Sequence, residues 1–142
     1  MADVLLDTNI ILDYLSAGRS RHGDAALLLE SLMESPFVNP VALTSSIKDA
    51  YYILVRHYRD EQIVRERLQA FCEVVELRDL SASLLFDAFG CDEPDVEDGI
   101  VRCCAERMGA LALVTRDREA FAGSSVPAVD AREFLSRFAD EL

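Results

Sequence analysis

The feature that most constrains the fold is a short apolar run that stops in a carboxylate. Ala2-Asp3-Val4-Leu5-Leu6 leads into Asp7-Thr8-Asn9, and Ile10-Ile11-Leu12-Asp13-Tyr14-Leu15 then continues at helical spacing. A buried strand that turns straight into a helix is the opening of a βα unit, and strands alternating with helices build a parallel sheet covered on both faces. Ligands in such sheets bind just beyond the carboxyl ends of the strands, where Asp7 would sit. An Asp after a strand is also an ordinary helix N-cap. Asp7 alone therefore decides nothing.

The alternation continues along the chain. Asp24 is expected to cap a helix carrying Ala25, Leu28, Leu29 and Leu32, ended by Pro36, and residues 37–43 read as a strand interrupted by Pro40. Ser46 and Asp49 resemble a capping box for a helix to about Tyr58. Ile47, Ala50, Tyr51 and Leu54 form its core stripe, with Asp49, Tyr52, Ile53 and Arg56 opposite. A helix apolar on two sides is covered on both, which puts Asp49 beside a cleft or an interface. Asp60 caps a helix to about Phe71, residues 74–77 read as a strand, and Asp79 caps a helix through Ala88. A loop over 90–95 precedes a helix that buries Ile100, Val101, Cys104 and Met108 and stops at Gly109. Residues 111–114 are the clearest strand, ending in Thr115-Arg116-Asp117. Residues 126–129 form an edge strand because of Pro127, and a helix over 131–139 closes the chain. The expected architecture is a single domain, residues 1–142, of the three-layer α/β/α class around a central parallel sheet.

Composition narrows the function classes. With 51% hydrophobic and 28% charged residues the chain is globular, and no apolar stretch approaches the roughly 20 residues that span a bilayer. Asp3 and Asp7 interrupt any signal-peptide pattern, so the expectation is a soluble cytoplasmic protein without a membrane partner. Cys72, Cys91, Cys103 and Cys104 contain no C-x-x-C pair and lie far from His22 and His57, which favours reduced, mostly buried thiols over a zinc cage. A net charge of −12 argues against a broad basic surface for nucleic acid, although a site made of carboxylates contributes to that imbalance.

Where the carboxylates go is the central question. Asp7 and Asp117 follow strands of a parallel sheet and therefore emerge at one edge; Asp49 opens a helix that starts at the same edge. Asp98 opens the helix leading toward strand 111–114, but its loop follows a helix, so topology does not place it. Converging carboxylates repel one another and raise one another's pKa, a conflict that a divalent cation removes. Oxygen ligands with no His or Cys nearby favour Mg²⁺ or Mn²⁺, which supports hydrolysis of a phosphodiester.

Asp7-Thr8-Asn9, Ser45-Ser46-Ile47-Lys48-Asp49-Ala50-Tyr51-Tyr52, Asp95-Val96-Glu97-Asp98-Gly99-Ile100 and Val114-Thr115-Arg116-Asp117 with Phe121 occur in an order that resembles the PIN domain, closest to its bacterial toxin-like (VapC-type) branch. The resemblance implies a parallel sheet of about five strands in the order 3-2-1-4-5 and an acidic catalytic metal site at Asp7, Asp49, Asp98 and Asp117. Thr8, Asn9 and Thr115 would support that site through hydrogen bonds. It further implies a Mg²⁺- or Mn²⁺-dependent endoribonuclease acting on RNA, as the toxin of a toxin–antitoxin pair, with dimerisation and an antitoxin partner. This sequence departs from the family pattern twice. The second acid is often Glu, and Asp49 is one methylene shorter; Gly99 stands where Ala is usual, which loosens the helix start.

Simpler readings stand beside these. Asp7 and Asp49 can be capping acids, Asp98 can pair with Arg102 four residues on, and Asp117 can start a turn. Asp13, Asp95 and Glu97 read as solvated charges, and Arg102, Arg116 and Arg118 as surface groups in preference to phosphate contacts. Tyr51 and Tyr52 read as packing groups, not as base-stacking platforms, and His57 as a surface residue. The alternative function is a PIN-like interaction module without significant nuclease activity. A phosphatase or phosphoacceptor domain is disfavoured, because there is no D-x-D motif and Lys48 is the only lysine.

Overall fold

A computed structural model describes all 142 residues. Five parallel strands, β1 (Ala2–Leu6), β2 (Val38–Leu43), β3 (Glu76–Arg78), β4 (Ala112–Val114) and β5 (Ala128–Val129), lie in the order β3-β2-β1-β4-β5. The helices are α1 (Thr8–Leu15), α2 (His22–Glu34), α3 (Thr44–Tyr58), α4 (Glu61–Val74), α5 (Ala82–Phe89), α6 (Val96–Met108) and α7 (Ala131–Arg137). Alternating strand residues separate two apolar layers, as the period of two demands. Val4 and Leu6 of β1 with Ala112 and Val114 of β4 face the larger core, shared with α1, α2, α3, α4 and α7. Leu5 and Leu113 face the smaller one, shared with α5 and α6. The three-layer α/β/α expectation and the strand order both hold.

Pro40 sits inside β2 without breaking it. It pairs with Val4 of β1, while β3 pairs only with Val41–Leu43, so on its other side β2 is locally an edge at Pro40. Pro127 likewise precedes β5, the edge strand at the opposite side. The cysteines are free; Cys104 is buried and the other three are half-buried.

Several element starts differ from expectation. Helix α2 starts at His22, which leaves Asp24 in its first turn, where an acid still complements the helix dipole. Ser81, not Asp79, caps α5 by accepting the Leu84 N–H at 3.1 Å. Helix α3 begins at Thr44 with no side-chain cap, so Ser46 and Asp49 do not form a capping box. Strand β3 begins at Glu76, because α4 runs on to Val74. Tyr51 leaves the predicted core stripe of α3: it is exposed and donates its hydroxyl proton to Glu61 at 3.2 Å.

Candidate functional site

At the carboxyl edge of the sheet lies a cleft of about 410 Å³ lined by Asp7, Thr8, Asn9, Ser45, Ser46, Asp49, Tyr52, Ile53, Glu97, Asp98, Ile100 and Val101. Helices α1, α3 and α6 supply its walls, and their N-terminal halves all open here. Strands β1 and β2 pass directly into α1 and α3, so the parallel topology alone delivers Asp7 and Asp49. Asp98 arrives by packing. Gly99, buried beside it, lets α6 settle on α5; a Cβ there would stand 3.2 Å from the Ala88 carbonyl oxygen. Gly99 is thus a close-approach position, a role the expected loosening of the helix start does not describe.

Asp7 is the best-anchored acid of the cleft. Only 8% of it is exposed. Its Oδ1 accepts the Thr8 N–H at 2.8 Å and its Oδ2 accepts the Thr115 hydroxyl at 2.8 Å. Thr115 is fully buried, and its Oγ1 in turn accepts the Asp117 N–H at 3.1 Å. A chain of two hydrogen bonds therefore ties Asp7 to Asp117. Burial pushes the Asp7 carboxyl above its ordinary range; the Thr115 and Thr8 hydrogen bonds pull it down, and Asp117 pushes it further up.

Asp98 shows the same conflict more strongly. Burial first, and then the charges of Asp95, Asp7, Asp117 and Glu93, together raise it to about 6. Asp7, Asp98 and Asp117 are thus close enough to repel one another. Asp117 itself is exposed and stands outside the cleft wall, where its Oδ1 accepts the Ala120 N–H at 3.3 Å. Asp49, on the α3 wall, is held by Lys48 at 3.3 Å. No three His, Cys, Asp or Glu side chains are gathered into a ready ligand cage.

Other expectations are corrected by this geometry. Arg102 does not pair with Asp98. It is a largely buried hub that binds Asp92 at 2.7 Å, Glu93 at 2.9 Å, Glu106 at 2.9 Å and the Gly123 carbonyl at 2.6 Å. Asp13 is not a solvated charge: it is 1% exposed and accepts from Arg19 at 2.9 Å and Arg116 at 3.4 Å. Asp95 caps α6 by accepting the Glu97 N–H at 2.7 Å. Glu97 lies in the cleft wall, and Tyr52, expected to pack, is 60% exposed there. The two-sided apolar pattern of α3 signalled a covered surface; what covers it in part is empty cleft, which sequence periodicity does not distinguish from protein. His57 is exposed, as expected.

The fold is similar to three solved structures. VapC20 from Mycobacterium tuberculosis, described as a sarcin-ricin loop cleaving toxin, superposes with a TM-score of 0.70 at 18% identity, covering 84% of this chain and 94% of that one. VapBC2 from Rickettsia felis, bound to a promoter DNA fragment, gives 0.70 at 17% identity, with 90% and 97% covered. A toxin–antitoxin complex from Klebsiella pneumoniae gives 0.66 at 21% identity, with 90% and 97% covered. A search of curated proteins gives no match. The PIN domain family model matches residues 3–119, from the first strand through the Thr115–Asp117 turn that carries the hydrogen bonds to Asp7. The chain belongs to the PIN domain family.

Proposed function

We propose that the protein is a metal-dependent endoribonuclease, the toxin of a toxin–antitoxin pair, with Asp7, Asp49, Asp98 and Asp117 as its catalytic metal site. The observation that carries this reading is the state of Asp7. It is a buried carboxylate supplied only with neutral donors; burial and the charge of Asp117 raise its proton affinity, and its own charge raises that of Asp98. A buried charge needs compensation, and no Arg or Lys lines the cleft. The oxygen-only donor set suits Mg²⁺ or Mn²⁺.

Asp7 and Asp98 would hold the ion from the cleft floor and the α6 wall, Asp49 from α3, and Asp117 from the rim. Bound there, the cation supplies water activation and charge neutralisation at the phosphate oxygens. The chain's own residues orient the site. Thr115 gives its only proton to Asp7 and receives the Asp117 N–H, which fixes both acids relative to β4. Thr8 holds the other Asp7 oxygen through its backbone, and Asn9 lines the cleft beside it. No nucleophilic side chain is required. An antitoxin partner, supported by similarity to solved toxin–antitoxin assemblies, and a homodimer complete the proposal. No helix is long and apolar enough to cross a membrane, which agrees with a cytoplasmic location.

The test is cleavage of RNA by the protein and by Asp7→Asn in Mg²⁺ or Mn²⁺. Loss of cleavage with an unchanged circular-dichroism spectrum is expected, whereas wild-type turnover by Asp7→Asn overturns the assignment. One observation favours a second reading, an interaction module without significant nuclease activity: the acids are not drawn into a cage, and Asp49 is already paired with Lys48. Calorimetric Mn²⁺ titration separates the two, because the module has no Asp7-dependent site.

A further inference from the structure

The acidic cleft has one cationic border. Nine of the 13 arginines lie in ion pairs with the chain's own carboxylates. Arg56 is different: its guanidinium lies 5.3 Å from the centre of the Tyr52 ring and donates to the Tyr52 hydroxyl. Lys48, Tyr52 and Arg56 recur every four residues and so share one face of α3, and Arg59 follows at its end. The helix itself carries a single acid, Asp49, in a chain of net charge −12. Tyr52 lies one turn beyond Asp49, in the cleft wall, with Ile53 beside it.

An exposed ring at the mouth of a cleft, steadied on one side by a guanidinium, is a stacking platform next to a phosphate contact. We propose that the Tyr52–Arg56 face of α3 is the landing point for single-stranded RNA. One unstacked base lies on Tyr52, and the flanking phosphates meet Arg56 and Lys48, so that the next phosphodiester reaches the carboxylates. This deepens, and rests on, the ribonuclease reading. Charge selects the occupant: a polyanion matches the one border of the cleft where the chain leaves a cation without a carboxylate. A duplex keeps its bases stacked on one another and cannot use the ring.

The test uses the full chain carrying Asp7→Asn, so that binding is read without turnover, and a fluorescent oligouridylate of about 12 nucleotides, within the span that single-strand sites cover. Adding Tyr52→Ala is expected to weaken binding about tenfold, while Tyr52→Phe stays within about twofold, because stacking needs the ring and not the hydroxyl. Arg56→Gln should flatten the dependence of log K on log salt by about 0.7, the value of one phosphate contact on a single strand. With Asp7 intact, Tyr52→Ala should raise KM and leave kcat unchanged. Binding indifferent to Tyr52→Ala, a loss shared by Tyr52→Phe, or equal competition by duplex RNA overturns the proposal. So does a change of oligomeric state on Tyr52→Ala without a change in RNA affinity, which makes this face a protein contact. Cleavage that needs Asp7 but ignores Tyr52 overturns the landing point alone. Tyr52-dependent binding without Asp7-dependent cleavage overturns the nuclease reading alone.

Discussion

Asp7 caps the short helix α1 and Asp13 lies in its last turn, and both are buried, at 8% and 1% exposure. Their surroundings are opposite. Asp13 accepts from two guanidinium groups, Arg19 at 2.9 Å and Arg116 at 3.4 Å, and its own backbone carbonyl accepts from the His22 ring at 2.9 Å. Asp7 has two neutral donors, and its charged neighbours are acids. A carboxylate that the chain neutralises with its own cations holds structure together. One given geometry but no countercharge is prepared for a cation from outside. The two acids are linked through the turn after β4: Thr115 serves Asp7, and Arg116, the next residue, serves Asp13. The structural pair thereby steadies the turn that carries the functional one.

That contrast is sharpest in stability. Asp13→Ala leaves two guanidinium groups without their partner, and breaking such a buried pair costs about 3 kcal/mol; urea denaturation should show it. Arg19 and Arg116 are each about one-third exposed and can turn to water, which keeps the cost at the lower end of such losses. Asp7→Asn should leave metal-free stability unchanged or raise it, since it removes repulsion. An Asp7→Asn loss as large as that of Asp13→Ala would erase the distinction.

Thr115→Val tests the shared turn. It keeps the shape and deletes both hydrogen bonds of the hydroxyl, so RNA cleavage or Mn²⁺ affinity should fall about 10- to 100-fold, as for other residues that orient metal ligands. Equal activity in Thr115→Val would mean that Asp7 needs no orientation from β4.

Proton linkage offers a weaker effect with a definite sign. Asp98 is raised from 3.8 to about 6, so the folded state binds its proton more tightly than the unfolded chain does. Its stabilising contribution is complete below 3.8 and is lost as pH rises through about 6. In EDTA, Asp98→Asn should therefore gain thermal stability relative to the wild type across that interval, and saturating Mn²⁺ should narrow the gap. A gap that shrinks as pH rises in EDTA contradicts the crowded-acid account.

Gly99→Ala gives the smallest change. An alanine inside a helix is ordinarily favoured by about 1 kcal/mol, but here its Cβ would crowd the Ala88 carbonyl at 3.2 Å. The gain should be cancelled in chemical denaturation, and a full gain would show that α5 and α6 have room to spare.

The sheet and the placement of three of the four acids at one edge were legible in the sequence for a physical reason. In a parallel βα fold, strand ends and helix starts share one edge, so Asp7, Asp49 and Asp117 follow from order alone. Asp98 does not: it follows a helix and reaches the cleft through the close α5–α6 contact that Gly99 permits, a tertiary fact with no local signature. Asp13 was misread because an acid late in a short helix looks solvated until the arginines six and 103 residues away are seen to converge on it. Tyr52 was misread because periodicity registers an apolar face without saying whether protein or solvent-filled cleft lies against it.

On the proposed reading the Asp7 side of α1, and not the Asp13 side, receives a divalent cation. Diffraction from crystals soaked in Mn²⁺, read for anomalous density, tests this directly. The expected result is a peak in the cleft contacting Asp7 and Asp98 that disappears in Asp7→Asn. No peak there at saturating Mn²⁺, or a peak unchanged by Asp7→Asn, would contradict it.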